Sequence, residues 1–226
     1  MKLDWEAAID SLSQISVIAN QDNRPVTVHN LGEEITCIGI GTDAAVFRHQ
    51  QAPAYAFKIY AAEKQYKIKI EEHIYNLLEG SPYFSSSFGS TDRYLILGYE
   101  EGITLYDCIQ HGVHIPTQVI EDVEDAREYV RSMGLHPRDI HLKNILLQNG
   151  RAKIIDVSEY VHPGNDFRWE HLKQAYEEYY HLIDGKEVPL WLIEKVRKWY
   201  NQRKVHFSSY DDFMKIVLKF AKHIKP

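Results

Sequence analysis

Three polar residues in the second half of the chain are spaced for work on a phosphate group. In GLHPRDIHLKNILL, residues 134–147, Asp139 precedes Asn144 by five positions, and Asp156 closes the apolar run KIID twelve positions after Asn144. A carboxylate and an amide delivered by neighbouring loops offer oxygen donors of the kind Mg²⁺ takes while keeping several waters. That leaves Asp139 to orient an acceptor hydroxyl and take its proton as it attacks phosphorus. Taken singly, each also reads as an Asx turn or a strand-end cap.

Lys58 stands in the apolar strand pattern AYAFKIY, where an unpaired ammonium is costly to bury. The helical pattern EKQYKIKIEEHIYNLL supplies a partner. Glu71 lies three, four and seven residues before Ile74, Tyr75 and Leu78, on the face expected to meet the sheet, whereas Glu72 points elsewhere. A solvated edge-strand lysine is the bland alternative. Upstream, GIGTDAAV at 39–46 places Gly39 and Gly41 where backbone can approach a ligand closely and turn amides can face phosphate oxygens. A glycine turn without a ligand would look the same.

The elements that must position these residues change character midway. Between 34 and 99, short strand-like runs (EITCIGI, AAVFRH, AYAFKIY, YLILGY) surround one helical segment. After Gly102 the pattern turns helical. Val119, Ile120, Val123, Ala126, Tyr129, Val130 and Met133 predict a helix over 117–133. NILLQ and AKIIDV around NGR predict a hairpin. Trp169, Leu172, Tyr176 and Tyr180 predict another helix, with further helical spacing from Leu190 through Val205 to Phe220. The opening LDWEAAIDSLSQI reads as an amphipathic helix packing on the first lobe.

In this order the residues resemble a protein-kinase-like fold over roughly 34–180, and GTDAAVF, AFKIY and IIDVSEY resemble the loops of the RIO family of atypical kinases. The resemblance implies an α+β fold in two lobes, a β-sheet N-lobe over 34–101 and a reduced helical C-lobe over 102–226. Residues 1–33 would be an N-terminal extension of one kinase-like domain spanning 1–226. It implies ATP as phosphate donor, with Gly39, Gly41, Ala44, Val46 and Lys58 at the nucleotide. Backbone groups of Tyr99, Glu100 and Glu101 would act as the adenine-binding hinge. Asp139, Lys58 and Glu71 would serve catalysis, and Asn144 and Asp156 would hold Mg²⁺, or Mn²⁺ in its stead.

The chain also departs from ordinary protein kinases. Asp156-Val157-Ser158 replaces DFG, and only 70 residues follow Asp156, which leaves no room for a long activation segment. Pro137 stands where a histidine is usual, with His136 expected to fill its packing role. His141 takes the place of a lysine, Lys143 either reaches the γ-phosphate or points to water, and Asp166 either receives catalytic-loop amides or caps the helix FRWEHL.

A serine/threonine protein kinase or autokinase is the expected activity. An ATPase or assembly factor with an RNA or ribosomal partner, a small-molecule kinase of aminoglycoside or choline type, and a pseudokinase binding module are the alternatives. Composition sets the remaining bounds. A net charge of −6 disfavours wholesale nucleic-acid binding, but from Leu192 to Pro226 nine Lys/Arg face three Asp/Glu. That tail is either a basic patch for RNA or an acidic partner, or a solvated helical face. No run is long enough to cross a bilayer and no apolar signal core opens the chain, so a cytoplasmic protein is expected. Cys37 and Cys108 read as buried thiols.

Overall fold

The computed structural model describes residues 4–22, 24–202 and 210–221. They form an α+β architecture, with a multi-strand antiparallel sheet in the N-terminal part and helices in the C-terminal part. Two compact units divide the chain: 1–101 with 125–137 and 153–164, and 102–124 with 138–152 and 165–226.

In the first unit, β3 (Ile35–Ile40), β4 (Ala44–His49), β5 (Ala52–Tyr60), β7 (Tyr94–Gly98) and β6 (Ser87–Ser90) make one antiparallel sheet in that spatial order. The central strand β5 is buried continuously from Ala56 to Tyr60, so it reads as an apolar run rather than an alternation. Register sets Lys58 opposite Val46 on one side and Leu95 on the other. A separate short pair, β1 (Ser16–Ile18) with β2 (Thr27–His29), has no counterpart in the strand pattern of the sequence.

The opening segment folds as a 3₁₀ turn, Asp4–Ala8, followed by helix α1 (Ile9–Gln14). Ala8 and Leu12 are buried in one core with Val17, Phe47, Phe57, Ile59 and Ile96. The amphipathic stretch is thus built into the sheet's own core. Helix α2 (Lys67–Leu77) buries Ile68, Glu71, Ile74 and Tyr75 on one face. That places a carboxylate in an otherwise apolar stripe.

In the second unit, β8 (Ile103–Thr104) pairs with β9 (Ile145–Gln148); β9 also pairs with β10 (Arg151–Ile154), within which the chain passes back to the first unit. The β9–β10 turn is Asn149-Gly150, both at positive φ of 51° and 78°. Asn-Gly supplies this backbone at low cost and fits the twist of a two-residue hairpin. Helix α3 (Leu105–Gln110) is capped by Thr104, whose Oγ1 accepts the Asp107 amide at 3.0 Å. Helix α4 (Thr117–Ser132) covers the predicted helix, and the chain passes from one unit to the other within it. Helices α5 (Arg168–Tyr179), α6 (Leu190–Asn201) and α7 (Tyr210–Ala221) follow, with Trp169, Leu192, Phe213 and Met214 buried.

Val205, placed in the helical spacing, lies outside the described residues. In the basic tail, Arg197 pairs with Glu194 and Lys215 with Asp212 inside their own helices. Arg203, Lys204, Lys222 and Lys225 lie outside the described residues. Among the described residues no helix is long and apolar enough to cross a membrane. Cys108 is buried, but Cys37 is only half-buried, with its thiol directed at the Gly39 carbonyl.

Candidate active site

The first unit gathers Lys58, Glu71 and Asp156. Lys58 Nζ donates to Glu71 Oε1 at 2.8 Å and lies 3.3 Å from Asp156 Oδ1. The Glu71 side chain has no solvent exposure, as its position on the buried stripe of α2 requires. Glu72 points away and accepts from Lys69 and Ser90, both at 2.9 Å. The pairing expected from the helical spacing is therefore present.

Electrostatics follow from one ammonium between two carboxylates. Burial opposes the charge on Lys58, but Asp156 and Glu71 outweigh it and raise its pKa. Burial pushes Glu71 up to about 7; Lys58 pulls it down, and the charge of Asp156 adds to the rise. Burial also opposes ionisation of Asp156, but Lys58 and the Ser158 amide hold its carboxyl below the usual range. Lys58 and the Ser158 amide, at 3.1 Å, both contact Oδ1 of Asp156, which leaves Oδ2 as an acceptor.

The glycine segment in the same unit is a tight turn. The Gly41 amide donates to the Ala44 carbonyl at 2.9 Å, so that amide is spent within the turn. A Cβ on Gly41 would meet the Ala44 oxygen at 3.3 Å, and one on Gly39 would meet Val46 at 3.6 Å. Neither has a positive φ, so space restricts Gly41 alone, the Gly39 distance being ordinary van der Waals contact. In the expected hinge, the Tyr99 amide donates to the Ala54 carbonyl at 2.8 Å, and the Arg48 guanidinium lies 4.1 Å from the centre of the Tyr99 ring. Glu100 lies 3.4 Å from Lys153 Nζ. His136 is exposed, its amide donating to the Tyr160 carbonyl at 2.9 Å, so it does not fill the buried packing role expected of it.

The second unit builds the loop from Arg138 to Asn144. Asp139 is in the left-handed region at φ 54°, a backbone strain that aspartate tolerates better than most residues. Three contacts hold it there. Its amide donates to Asp166 Oδ2 at 2.9 Å, its carbonyl accepts from Asn144 Nδ2 at 3.0 Å, and its carboxylate pairs with Arg168. His141 Nε2 lies 3.8 Å from the same carboxylate, and Lys143 Nζ lies 4.3 Å from the Tyr106 ring centre. Because the Asn144 nitrogen is committed to the loop, its oxygen is the atom this side chain offers. An amide oxygen is a hard donor of the kind that Mg²⁺ or Mn²⁺ takes.

Asp166 also accepts the Arg168 amide on Oδ1 at 3.1 Å. The N-cap position itself is Phe167, at φ 59° and without a side-chain cap. Asp166 therefore serves the loop and the helix start at once, rather than one of the two.

Over 205 residues the chain is 31% identical to a Bacillus subtilis (strain 168) protein named "Putative serine/threonine-protein kinase YrzF", covering 85% of this chain and 95% of the relative. The chain belongs to the YrzF family of kinase-like proteins. No family model matches it.

In this member of the YrzF family, the contacts bring forward two residues that sequence reasoning passed over. Arg168 was hidden because its partner Asp139 lies 29 positions away and is fixed only by tertiary contact. Lys67 was hidden for the same reason, since it reads as one of several lysines at the start of an amphipathic helix.

Proposed function

We propose that the protein is an ATP-dependent phosphotransferase with a RIO-like layout, acting on serine or threonine of a protein, itself included. The observation that carries this reading is Lys58 held by Glu71 at 2.8 Å and facing Asp156 at 3.3 Å. A buried cation with one carboxylate behind it and another in front suits the α- and β-phosphates of a nucleotide. Gly39, Gly41, Ala44 and Val46 would line the nucleotide, with Tyr99, Glu100 and Glu101 at adenine. Asn144 and Asp156 would supply one oxygen each to Mg²⁺ or Mn²⁺, which when bound neutralises developing phosphate charge.

The acceptor oxygen attacks the γ-phosphorus, the bond to the β–γ bridging oxygen breaks, and ADP leaves. Asp139 receives the hydroxyl proton, while Asp166 and Asn144 hold its backbone in place. Positioning and charge neutralisation supply most of the acceleration. The Arg168 guanidinium on Asp139, with His141 beside it, disfavours a cationic acceptor of the aminoglycoside or choline type. Repulsion there would oppose such a substrate.

The test is γ-phosphate release and phosphoprotein formation from labelled ATP, with and without Mg²⁺, for wild type, Asp139→Asn and Asp156→Ala. Wild type should label protein only with the metal. Asp139→Asn should bind ATP without turning it over, and Asp156→Ala should lose metal-dependent turnover. Undiminished turnover in Asp156→Ala would remove the metal assignment, and no nucleotide-dependent thermal shift in any form would overturn the reading. Release of phosphate without labelled protein would favour an ATPase.

A further inference from the structure

Helix α2 carries a second anchor, one turn before Glu71. Lys67 is the first residue of the helix, and its side chain is 17% exposed. Its Nζ donates to Asp43 Oδ2 at 2.7 Å and to Glu159 Oε1 at 3.1 Å. Asp43 lies in the tight turn closed by Gly41 and Ala44, and its carbonyl accepts the Ala61 amide at 3.0 Å. Lys64 adds a second cation at 3.3 Å from Asp43 Oδ1. Glu159 lies three residues after Asp156, on the segment whose carboxylate faces Lys58. His162 Nε2 approaches the other oxygen of Glu159 at 3.8 Å.

One helix face therefore grips three segments through charge. Glu71 holds the β5 lysine; one turn earlier, Lys67 holds both the glycine turn and the Asp156 segment. Positions i and i+4 share a helix face, which is why a single element can do both. Partial burial makes these pairs stronger than exposed ones.

We propose that Lys67 is a positioning residue of the nucleotide site, fixing the 41–44 turn through Asp43 and the 156–159 segment through Glu159. The proposal rests on the phosphotransferase reading for its consequence, but the tie itself can be tested without nucleotide. Neutralising Lys67 loosens both segments, with Lys64 left as the cation on Asp43. Neutralising Asp43 frees the turn alone, and neutralising Glu159 frees the metal-ligand segment alone. The two single losses therefore have different chemical signatures.

The experiment compares wild type, Lys67→Met, Lys67→Arg, Asp43→Asn and Glu159→Gln by hydrogen exchange of the apo protein, and by titration with a fluorescent ATP analogue at several Mg²⁺ concentrations. Lys67→Met should speed exchange in peptides covering 41–46 and 155–160 and weaken nucleotide binding roughly tenfold, the factor that about 1.4 kcal/mol of lost interaction produces. Lys67→Arg should restore most of both. Asp43→Asn should weaken binding at every Mg²⁺ concentration, whereas Glu159→Gln should raise the Mg²⁺ needed for half-maximal binding. Unchanged exchange in Lys67→Met would overturn the proposal, as would faster exchange with undiminished affinity. Wild type that binds no nucleotide while Lys67→Met speeds exchange would overturn both the phosphotransferase reading and the nucleotide role of Lys67, leaving it a purely structural tie.

Discussion

Lys58 Nζ lies 2.8 Å from the fully buried carboxylate of Glu71, and the burial of that carboxylate makes stability depend on pH. Glu71 is raised to about 7, so it holds its proton more tightly folded than unfolded. Its contribution is fully present below the ordinary glutamate range and is lost as pH rises through about 7. Removing Lys58 withdraws the counter-charge and raises Glu71 further. Lys58→Met should therefore cost about 3–5 kcal/mol where Glu71 is ionised. The cost should shrink where Glu71 is protonated. Asp156, ionised across that range, adds a constant part. Urea unfolding at pH 5.5 and pH 8.5 decides the matter, and an equal penalty at both would contradict it.

A second charge cluster is structural. Asp122 on α4 is fully buried and accepts from Arg151 Nε at 2.8 Å and from the Ala152 amide at 2.9 Å. Burial opposes its ionisation, but Arg151, the Ala152 amide and Gln118 hold its pKa below the usual range. A depressed folded pKa means that its stabilisation is present above the unfolded value and is lost as pH falls through the folded one. Asp122→Ala leaves Arg151 in water but orphans the Ala152 amide. The expected cost is about 1–3 kcal/mol at neutral pH. It should fade in acid, as chemical denaturation at pH 7 and pH 3 would show.

The contrast between these clusters shows what the sequence could reveal. Lys58 and Glu71 were legible because a charge inside an apolar pattern demands a partner, and helical spacing pointed one carboxylate at it. Asp122 was not, because periodicity searches follow apolar residues and a buried aspartate looks like a surface one. The same applies to Arg127, buried on the same helix. The strands β3, β4, β5 and β7 announced themselves through apolar runs. The short strands β1, β2, β6 and β8 carry few apolar residues, and pairing rather than pattern defines them. Asp139 and Asn144 were found from spacing, but Arg168 belongs to a contact that only folding creates.

Gly102 precedes β8, where the chain passes close to β9. A Cβ there would meet the Leu147 carbonyl oxygen at 2.8 Å and Leu146 Cβ at 3.2 Å. Backbone cannot yield as a flexible side chain would, so either β8 or β9 must shift. Gly102→Ala should destabilise by about 1–3 kcal/mol. Gly134→Ala probes a different cost, since nothing lies near its Cβ and only its φ of 76° is at stake. Thermal melts should show Gly102→Ala losing stability together with exchange protection in β8 and β9, and Gly134→Ala leaving β8 and β9 untouched.

Asp166 reaches the candidate catalytic loop through two amides and one side chain: Oδ2 takes the Asp139 amide at 2.9 Å, Oδ1 takes the Arg168 amide at 3.1 Å, and Oδ2 lies 3.5 Å from Nε of Arg168, whose guanidinium pairs with Asp139. It touches no reacting atom in the proposed transfer, so its effect must pass through the position of Asp139. A carboxylate displaced by about 1 Å can cost about 100-fold in rate. Asp166→Ala should therefore lower kcat by roughly 10–100-fold. Nucleotide affinity should be unchanged, because Lys58, Glu71 and Asp156 are held by one another and by the Ser158 amide. Asp166→Asn keeps one acceptor oxygen and can satisfy only one of the two amides, so its kcat should fall between wild type and Asp166→Ala. Steady-state kinetics beside direct nucleotide titration separates these effects. A rise in the dissociation constant with kcat preserved would mean that Asp166 acts on the nucleotide and not on the loop that holds Asp139.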